Sequence, residues 1–273
     1  MCKECGCGEG GRVQIDGYDG SMNEHAHHEA HSHEHKHDHG YAHFHTHTDN
    51  IGLPLLDANS RQAERNRGWF EAKGIRVLNV LSSPGSGKTT LLADTLRRLE
   101  GQCRAAVIVG DLATDNDAQR LRETGVPVIQ ITTGTMCHLD AAMIAEAVRK
   151  LDTDGLELLI IENVGNLVCP ADYDLGENAR AVLLATTEGE DKPLKYPPAF
   201  HAADLAVITK TDLAEPAGFR RDEALANLRR IAHHAHICEV SATTGEGMDA
   251  WCAELAHVLG LQRTAAKDTS PLA

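Results

Sequence analysis

From Leu53 onward the chain alternates between two hydrophobic rhythms, and before it there is almost none. The runs IRVLNVLS (75–82), AAVIVGD (105–111), VPVIQIT (126–132), LELLIIENV (156–164), RAVLLATTEG (180–189), LAVITK (205–210) and ICEVSA (237–242) are close to continuously apolar. Strands of that kind are buried on both faces, as in a parallel sheet. Between them stand stretches with helical spacing: KTTLLADTLRRLEG (88–101), DAQRLRETG (117–125), LDAAMIAEAVRKL (139–151), DEALANLRRIAHHA (222–235) and MDAWCAELAHVLG (248–260). An amphipathic segment, LLDANSRQAERNRGWFEAKG (55–74), leads in and closes at Gly74. The alternation predicts an α/β fold, a mostly parallel sheet with helices on both faces.

Residues 1 to about 50 break this pattern. They are polar and glycine-rich, and eleven of the seventeen histidines fall between His25 and His47. Across residues 20–50, Met22, Tyr41 and Phe44 supply nearly all the apolar surface. A segment so poor in apolar groups cannot offset its ordering entropy, which predicts disorder without metal. The last dozen residues, 262–273, read as a short loose tail.

Composition narrows the function. A hydrophobic content of 42% in 273 residues allows one sizeable core with tails. The formal charge of -14 speaks against non-specific nucleic-acid binding. No apolar run is long enough to insert in a membrane, and no basic-then-apolar start marks secretion. A cytoplasmic address is expected, where the eight cysteines stay reduced as metal ligands or core residues.

The first strand runs into SSPGSGKTT, residues 82–90. This matches a nucleotide-binding P-loop, with Ser82 in place of the usual first glycine. Gly85, Ser86 and Gly87 let backbone N–H groups turn toward a phosphate, and the helix N-terminus adds its positive end. Lys88 reaches the β and γ phosphates; the Thr89 hydroxyl, followed by Thr90, holds Mg²⁺. The domain organisation expected is therefore a Cys/His-rich metal-binding tail over 1–50, a P-loop GTPase domain over 51–261 and a flexible C-terminal tail over 262–273.

Guanine specificity comes from TKTD, residues 209–212, which resembles the NKxD motif of GTPases. Asp212 accepts from the guanine N1–H and 2-amino group, and Lys210 lies over the base. ICEVSATTGEG resembles the last GTPase motif, which implies that the backbone around Ser241 and Ala242 meets the guanine oxygen. Asp111 and Glu162 each follow an apolar strand and so emerge at the carboxyl edge of the sheet. Glu162 is placed for Mg²⁺. Asp111 is placed for Mg²⁺ or for orienting the attacking water, with Asp117 as a weaker candidate. Lys88, Asp111 and Glu162 are thus the expected catalytic set. Arg180 is the arginine considered as a finger, though none is evident.

ENVGN, GDLATDNDA and GTMCHLDA together resemble the HypB family of hydrogenase-maturation GTPases, a branch of the SIMIBI class related to the urease accessory GTPase UreG. The resemblance extends from MCKECGCGEG through the histidine tract to the GTPase core. It implies GTP and GDP as ligands, a GTP-promoted homodimer and nickel delivery to the [NiFe] hydrogenase large-subunit precursor. It also implies a zinc-binding partner of the HypA type. UreG carries Cys-Pro-His where this chain has Cys137 and His138 with no proline between. A urease-type accessory GTPase and a nickel store with little nucleotide dependence are the alternatives.

Three groups of soft ligands then acquire a use. Cys137 and His138 are expected to start a helix beside the switch regions, and Cys169 follows ENVGN. Thiolate, imidazole and thiolate suit Zn²⁺ or Ni²⁺, and the resemblance points to the family's GTPase-domain metal site. The tract His25, His27, His28, His31, His33, His35, His37, His39, His43, His45 and His47 reads as a multi-site nickel reservoir. Cys2, Cys5 and Cys7 lack the signals for lipid or disulfide and the fourth ligand of a zinc module. They read as a flexible claw that encloses Ni²⁺ with a terminal or backbone nitrogen. Cys103, Cys238 and Cys252, with Trp69 and Trp251, are read as core. His233–His236 are read as a helix end, and Lys192 and Lys195 as a charged loop.

Overall fold

The computed structural model describes residues 13–16, 18–19 and 52–261. The elements are β1 (Gln14–Ile15), β2 (Tyr18–Asp19), α1 (Gly52–Lys73), β3 (Arg76–Leu81), α2 (Lys88–Leu99) and β4 (Ala105–Asp111). There follow α3 (Asn116–Arg122), β5 (Val128–Thr132), α4 (Ala141–Val148), β6 (Leu158–Glu162) and β7 (Ala179–Ala185). The chain closes with α5 (Lys192–Lys195), α6 (Pro197–His201), β8 (Leu205–Thr209), α7 (Arg221–Ile231), β9 (His236–Glu239) and α8 (Met248–Leu259).

The strands form one sheet in the order β2-β1-β5-β4-β6-β3-β7-β8-β9. All pairings from β5 to β9 are parallel. Alternation along β3 serves both faces: Leu78 and Val80 pack with Leu91, Trp251 and Leu255 of α2 and α8. Val77 packs on the opposite side with Phe70 of α1 and Met143 and Ile144 of α4. A third cluster places Val182 and Leu184 against Phe200 of α6 and Leu228 of α7. The mostly parallel sheet with two helical layers is thus as expected. Its parallel strands all end at one edge, where ligands of such sheets bind.

Five local features differ from the sequence reading, the simplest being that Lys192 and Lys195, read as a charged loop, begin and end the short helix α5. The sheet begins inside the stretch assigned to the tail, because β1 pairs antiparallel with β5 through Gln14↔Thr132 and Ile15↔Ile131. Val13 and Ile15 are buried, and Lys150 Nζ donates to the Ile15 carbonyl at 2.7 Å. A two-residue strand is too short to leave a period, so the pattern hides it. Cys137 and His138 do not start α4: Asp140 caps it by accepting from Met143 N at 2.8 Å, which leaves both ligands in the preceding loop. The helix before HHAH ends at Ile231, and it is His201 of α6 whose Nδ1 lies 3.3 Å from that residue's carbonyl oxygen. Trp251 is fully buried with Nε1 donating to Thr95 Oγ1 at 2.8 Å, whereas Trp69 is 39% exposed and is no core anchor. Cys2, Cys5, Cys7, the eleven tract histidines and residues 262–273 lie outside the described residues.

Candidate nucleotide site and soft-metal pocket

β3 delivers the chain to the phosphate loop. Gly85 (φ 73°) and Gly87 (φ 96°) occupy the left-handed region that L side chains resist, and α2 begins at once with Lys88. Lys88 is buried, and its ammonium donates to Ser82 Oγ at 2.9 Å. The serine that replaces the usual glycine therefore gives the lysine a resting partner. Burial pulls the Lys88 pKa down, opposed by the charges of Glu162, Asp117 and Asp111.

Thr89 Oγ1 donates to Glu162 Oε1 at 2.7 Å. Glu162 is 2% exposed and its Oε2 has no hydrogen-bond partner. Burial raises its pKa to about 7, against the pull of Lys88 and the Thr89 hydrogen bond. An orphaned carboxylate oxygen is costly in a buried setting. Beside a hydroxyl it is the oxygen-rich environment a hard cation takes, so these two residues fit Mg²⁺.

The residues expected to read guanine are locked onto the phosphate loop. Thr209 Oγ1 donates to the Ser86 carbonyl at 2.7 Å, and Lys210 Nζ to the Gly85 carbonyl at 2.6 Å. Lys210 holds φ 58°, a strained value for a non-glycine residue, and the Thr186 hydroxyl pins its carbonyl at 2.7 Å. Ser241 Oγ donates to Asp212 Oδ1 at 2.5 Å. A small cavity opens among Gly87, Thr90, Lys210, Asp212 and Ala242.

Asp111 ends β4 at the same edge, but Oδ1 accepts from the N–H groups of Ala113 and Thr114, both at 2.9 Å. It shapes its own loop. Arg120 of α3, absent from the sequence reading, donates to Thr90 Oγ1 at 2.9 Å. Arg180 does not face the nucleotide edge: Nη1 and Nη2 donate to the carbonyls of Ala171 (3.0 Å) and Tyr173 (2.9 Å).

The soft ligands converge next door. Ligand atoms of Cys137, His138 and Cys169 lie within 4.8 Å of one another, and among the described residues they form the only such group of three or more. Cys137 Sγ and His138 Nδ1 are 4.0 Å apart. The His138 ring stacks on Tyr173 at 3.8 Å, and burial lowers its pKa, favouring the neutral imidazole that ligates. The segment leaving Glu162 crosses the phosphate loop so closely that a Cβ on Gly165 would lie 3.2 Å from Pro84. Asn166 pairs with Ser82 there, and its side chain donates to the Cys137 carbonyl at 3.3 Å.

Helix α1 braces this pocket from behind. Asn66 Nδ2 donates to the carbonyls of Ala141 (2.8 Å) and Leu175 (3.0 Å). Asn59 accepts from Ala141 N at 2.9 Å and donates to the Asp174 carbonyl at 2.8 Å. Arg67 grips the Asp174 carboxylate through Nη2 at 2.7 Å. These residues match no motif. Their one trace in the sequence is a pair of asparagines seven apart, on one face of a helix and otherwise hard to account for.

The description "CobW/HypB/UreG, nucleotide-binding domain" belongs to the family profile that matches residues 76–239. The chain is 53% identical over 201 residues to the hydrogenase maturation factor HypB of Escherichia coli strain K12, covering 74% of this chain and 69% of that protein. It is 50% identical over 214 residues to the HypB of Azotobacter vinelandii, covering 78% and 71%. Among solved structures, HypB of Archaeoglobus fulgidus superposes with TM-score 0.70 at 40% identity, covering 74% of this chain and 99% of that one. HypB of Helicobacter pylori in complex with nickel superposes with TM-score 0.71 at 38% identity, covering 77% and 98%.

Proposed function

The chain belongs to the CobW/HypB/UreG family, within it to the HypB hydrogenase maturation factors, and from that premise we propose that it is a GTP-hydrolysing nickel metallochaperone. It takes up nickel and delivers it to the [NiFe] hydrogenase large-subunit precursor, as a GTP-promoted homodimer in the cytoplasm, alongside a zinc protein of the HypA type. The observation that carries the reading is the position of the soft-metal pocket. Cys169 lies on the segment that leaves Glu162, and that segment touches both the phosphate loop and the Cys137 carbonyl.

The chain's own groups divide the work. Lys88 leaves Ser82 for the phosphate oxygens and neutralises charge developing there. Thr89 and Glu162 would hold Mg²⁺, which would supply charge neutralisation at the phosphates. Asp212 accepts from guanine, with Lys210 over the base and Ser241 and Ala242 at its oxygen. Asp111 orders the loop that faces the γ-phosphate. Cys137, His138 and Cys169 bind the cargo, Ni²⁺, or Zn²⁺ in its place. Hydrolysis relaxes the segment after Glu162 and with it the position of Cys169. The eleven tract histidines, from His25 to His47, serve as the upstream store, and Cys2, Cys5 and Cys7 as a separate Ni²⁺ claw.

The test is a Ni²⁺ titration of the full chain loaded with Mg²⁺ and GDP or with a non-hydrolysable GTP analogue. Affinities at the Cys137 pocket that differ between the two states support switching. Equal affinities overturn it, since coupling must be reciprocal between the two ligands.

A further inference from the structure

Asn79 occupies the middle of β3, opposite Ile161 of β6 and Arg180 of β7, and is fully buried. An amide at such a position is costly unless both its ends are paired. Both are. Asn79 Oδ1 accepts from Asn163 Nδ2 at 3.2 Å, and Asn79 Nδ2 donates to Glu177 Oε1 at 3.1 Å.

Each neighbour leads to one half of the metal pocket. Asn163 is the residue after Glu162, and its Oδ1 accepts from Leu139 N at 3.4 Å, directly beside His138. Glu177 Oε1 also accepts from Arg180 Nε at 2.5 Å, and Oε2 from Leu175 N at 2.7 Å. Arg180 then holds the Ala171 and Tyr173 carbonyls, on the turn that opens with Cys169. Tyr173 stacks on His138, so the circuit closes.

We infer that the buried relay Asn163–Asn79–Glu177–Arg180 transmits the state of Glu162 to the loops bearing Cys137, His138 and Cys169, and that Asn79 is its positioning residue. The inference deepens the proposed nucleotide–metal switching and rests on it. A buried ion pair adds little net stability over apolar side chains of equal volume. A fully paired polar network in a low dielectric does specify one arrangement of its members. Glu177 and Arg180 therefore serve geometry more than stability. When Glu162 engages cation and nucleotide, the peptide that follows it shifts. The Asn163 amide passes that shift through Asn79 to the far loop. Each loop also keeps an anchor of its own, Asn163 for Leu139 and Arg180 for Tyr173. Asn79 joins the two halves. A second route runs at the surface, where half-buried Asn166 links Ser82 to the Cys137 carbonyl.

The test uses the full chain with Cys2, Cys5 and Cys7 changed to Ser, so that thiolate-to-Ni²⁺ charge-transfer absorbance reports Cys137 and Cys169 alone. Ni²⁺ affinity is measured with Mg²⁺–GDP and with a non-hydrolysable GTP analogue. The ratio in the parent is expected within about 5–150-fold, the usual range for coupled sites. Asn79→Ala is expected to bring it to within about twofold of one, with GDP affinity retained. Asn79→Ser serves should the alanine variant fail to fold, as judged by thermal melts. Arg180→Lys, which cuts the last link of the relay at the Ala171 and Tyr173 carbonyls, is expected to weaken Ni²⁺ binding and to lower the ratio as well. A parent ratio preserved in Asn79→Ala or Asn79→Ser, or lost in Asn166→Ala alone, overturns the relay. A parent ratio of one overturns the switching reading itself.

Discussion

The phosphate loop and the soft-metal pocket lie side by side at one sheet edge and are built on opposite plans. The first is nine consecutive residues, Ser82–Thr90, six in the turn after β3 and three opening α2, and the groups it offers are mostly backbone N–H and one buried lysine. The second draws ligands from two loops, residues 137–138 and 169, and none of the three belongs to an α-helix or strand. What fixes its shape is remote: Asn59 and Asn66 of α1, Arg180 of β7 and Tyr173 beneath His138. A site made of contiguous backbone depends on its own stretch of chain. A site assembled from distant segments depends on whatever holds those segments together, so the two should fail under different mutations.

The largest separation is expected from Lys88→Ala. Removing the charge that meets the phosphates should cut GTP turnover by about 10²–10³-fold, the cost of deleting a preorganised electrostatic partner. Ni²⁺ stoichiometry at Cys137 and Cys169 should stay the same in nucleotide-free protein. Loss of metal binding in that variant would merge the two sites into one. The converse change, Cys169→Ser, should weaken Ni²⁺ at the pocket by about 100-fold, the upper range seen even for outer-shell losses. GDP affinity, followed by a fluorescent analogue, should change less than twofold in that order-of-magnitude comparison.

The difference in plan also explains what the sequence made legible. Apolar runs and helical spacing identified the parallel sheet because burial on two faces imprints itself on most residues of β3 to β8. Ser82–Thr90, Thr209–Asp212 and Ser241–Ala242 were legible because each is contiguous and answers to one chemical need. Cys137, His138 and Cys169 were legible as candidates through resemblance. Their convergence to within 4.8 Å depends on the path of the chain across Pro84, which no local pattern records. Asn79, Asn163 and Glu177 were invisible as a group, because a polar residue in a strand reads as an edge or an exception until its partners are located. The β1 pairing escaped for the opposite reason, being two residues of ordinary composition.

A smaller effect should come from the brace. Asn66→Ala removes a buried amide that holds Ala141 and Leu175, and should cost about 1–3 kcal/mol in urea unfolding. Because both carbonyls adjoin the metal loops, Ni²⁺ affinity should fall while GDP affinity holds. A parallel fall in both would mean that α1 supports the whole edge rather than the pocket.

The smallest and most selective contrast is among the thiols. Cys238 of β9 packs against the core, and burial, reinforced by Glu254, pushes its pKa to about 12. An unfolded thiol titrates near 8.5. Below that value the proton is present in both states and costs nothing. As pH rises from about 9 toward 12 the unfolded chain releases it first, so this residue's contribution to stability declines there. Near pH 8 Cys238 in the folded chain is therefore protonated and sheltered, and the thiolate is the species that alkylates. Iodoacetamide with peptide mapping should label Cys137 and Cys169 in metal-free protein while sparing Cys238 and buried Cys252. Ni²⁺ added beforehand should protect the first pair and leave the second unchanged. Labelling of Cys238 at the rate of Cys169 would show that β9 opens as readily as the metal loops, and the division between a rigid core thiol and a working thiol would fall.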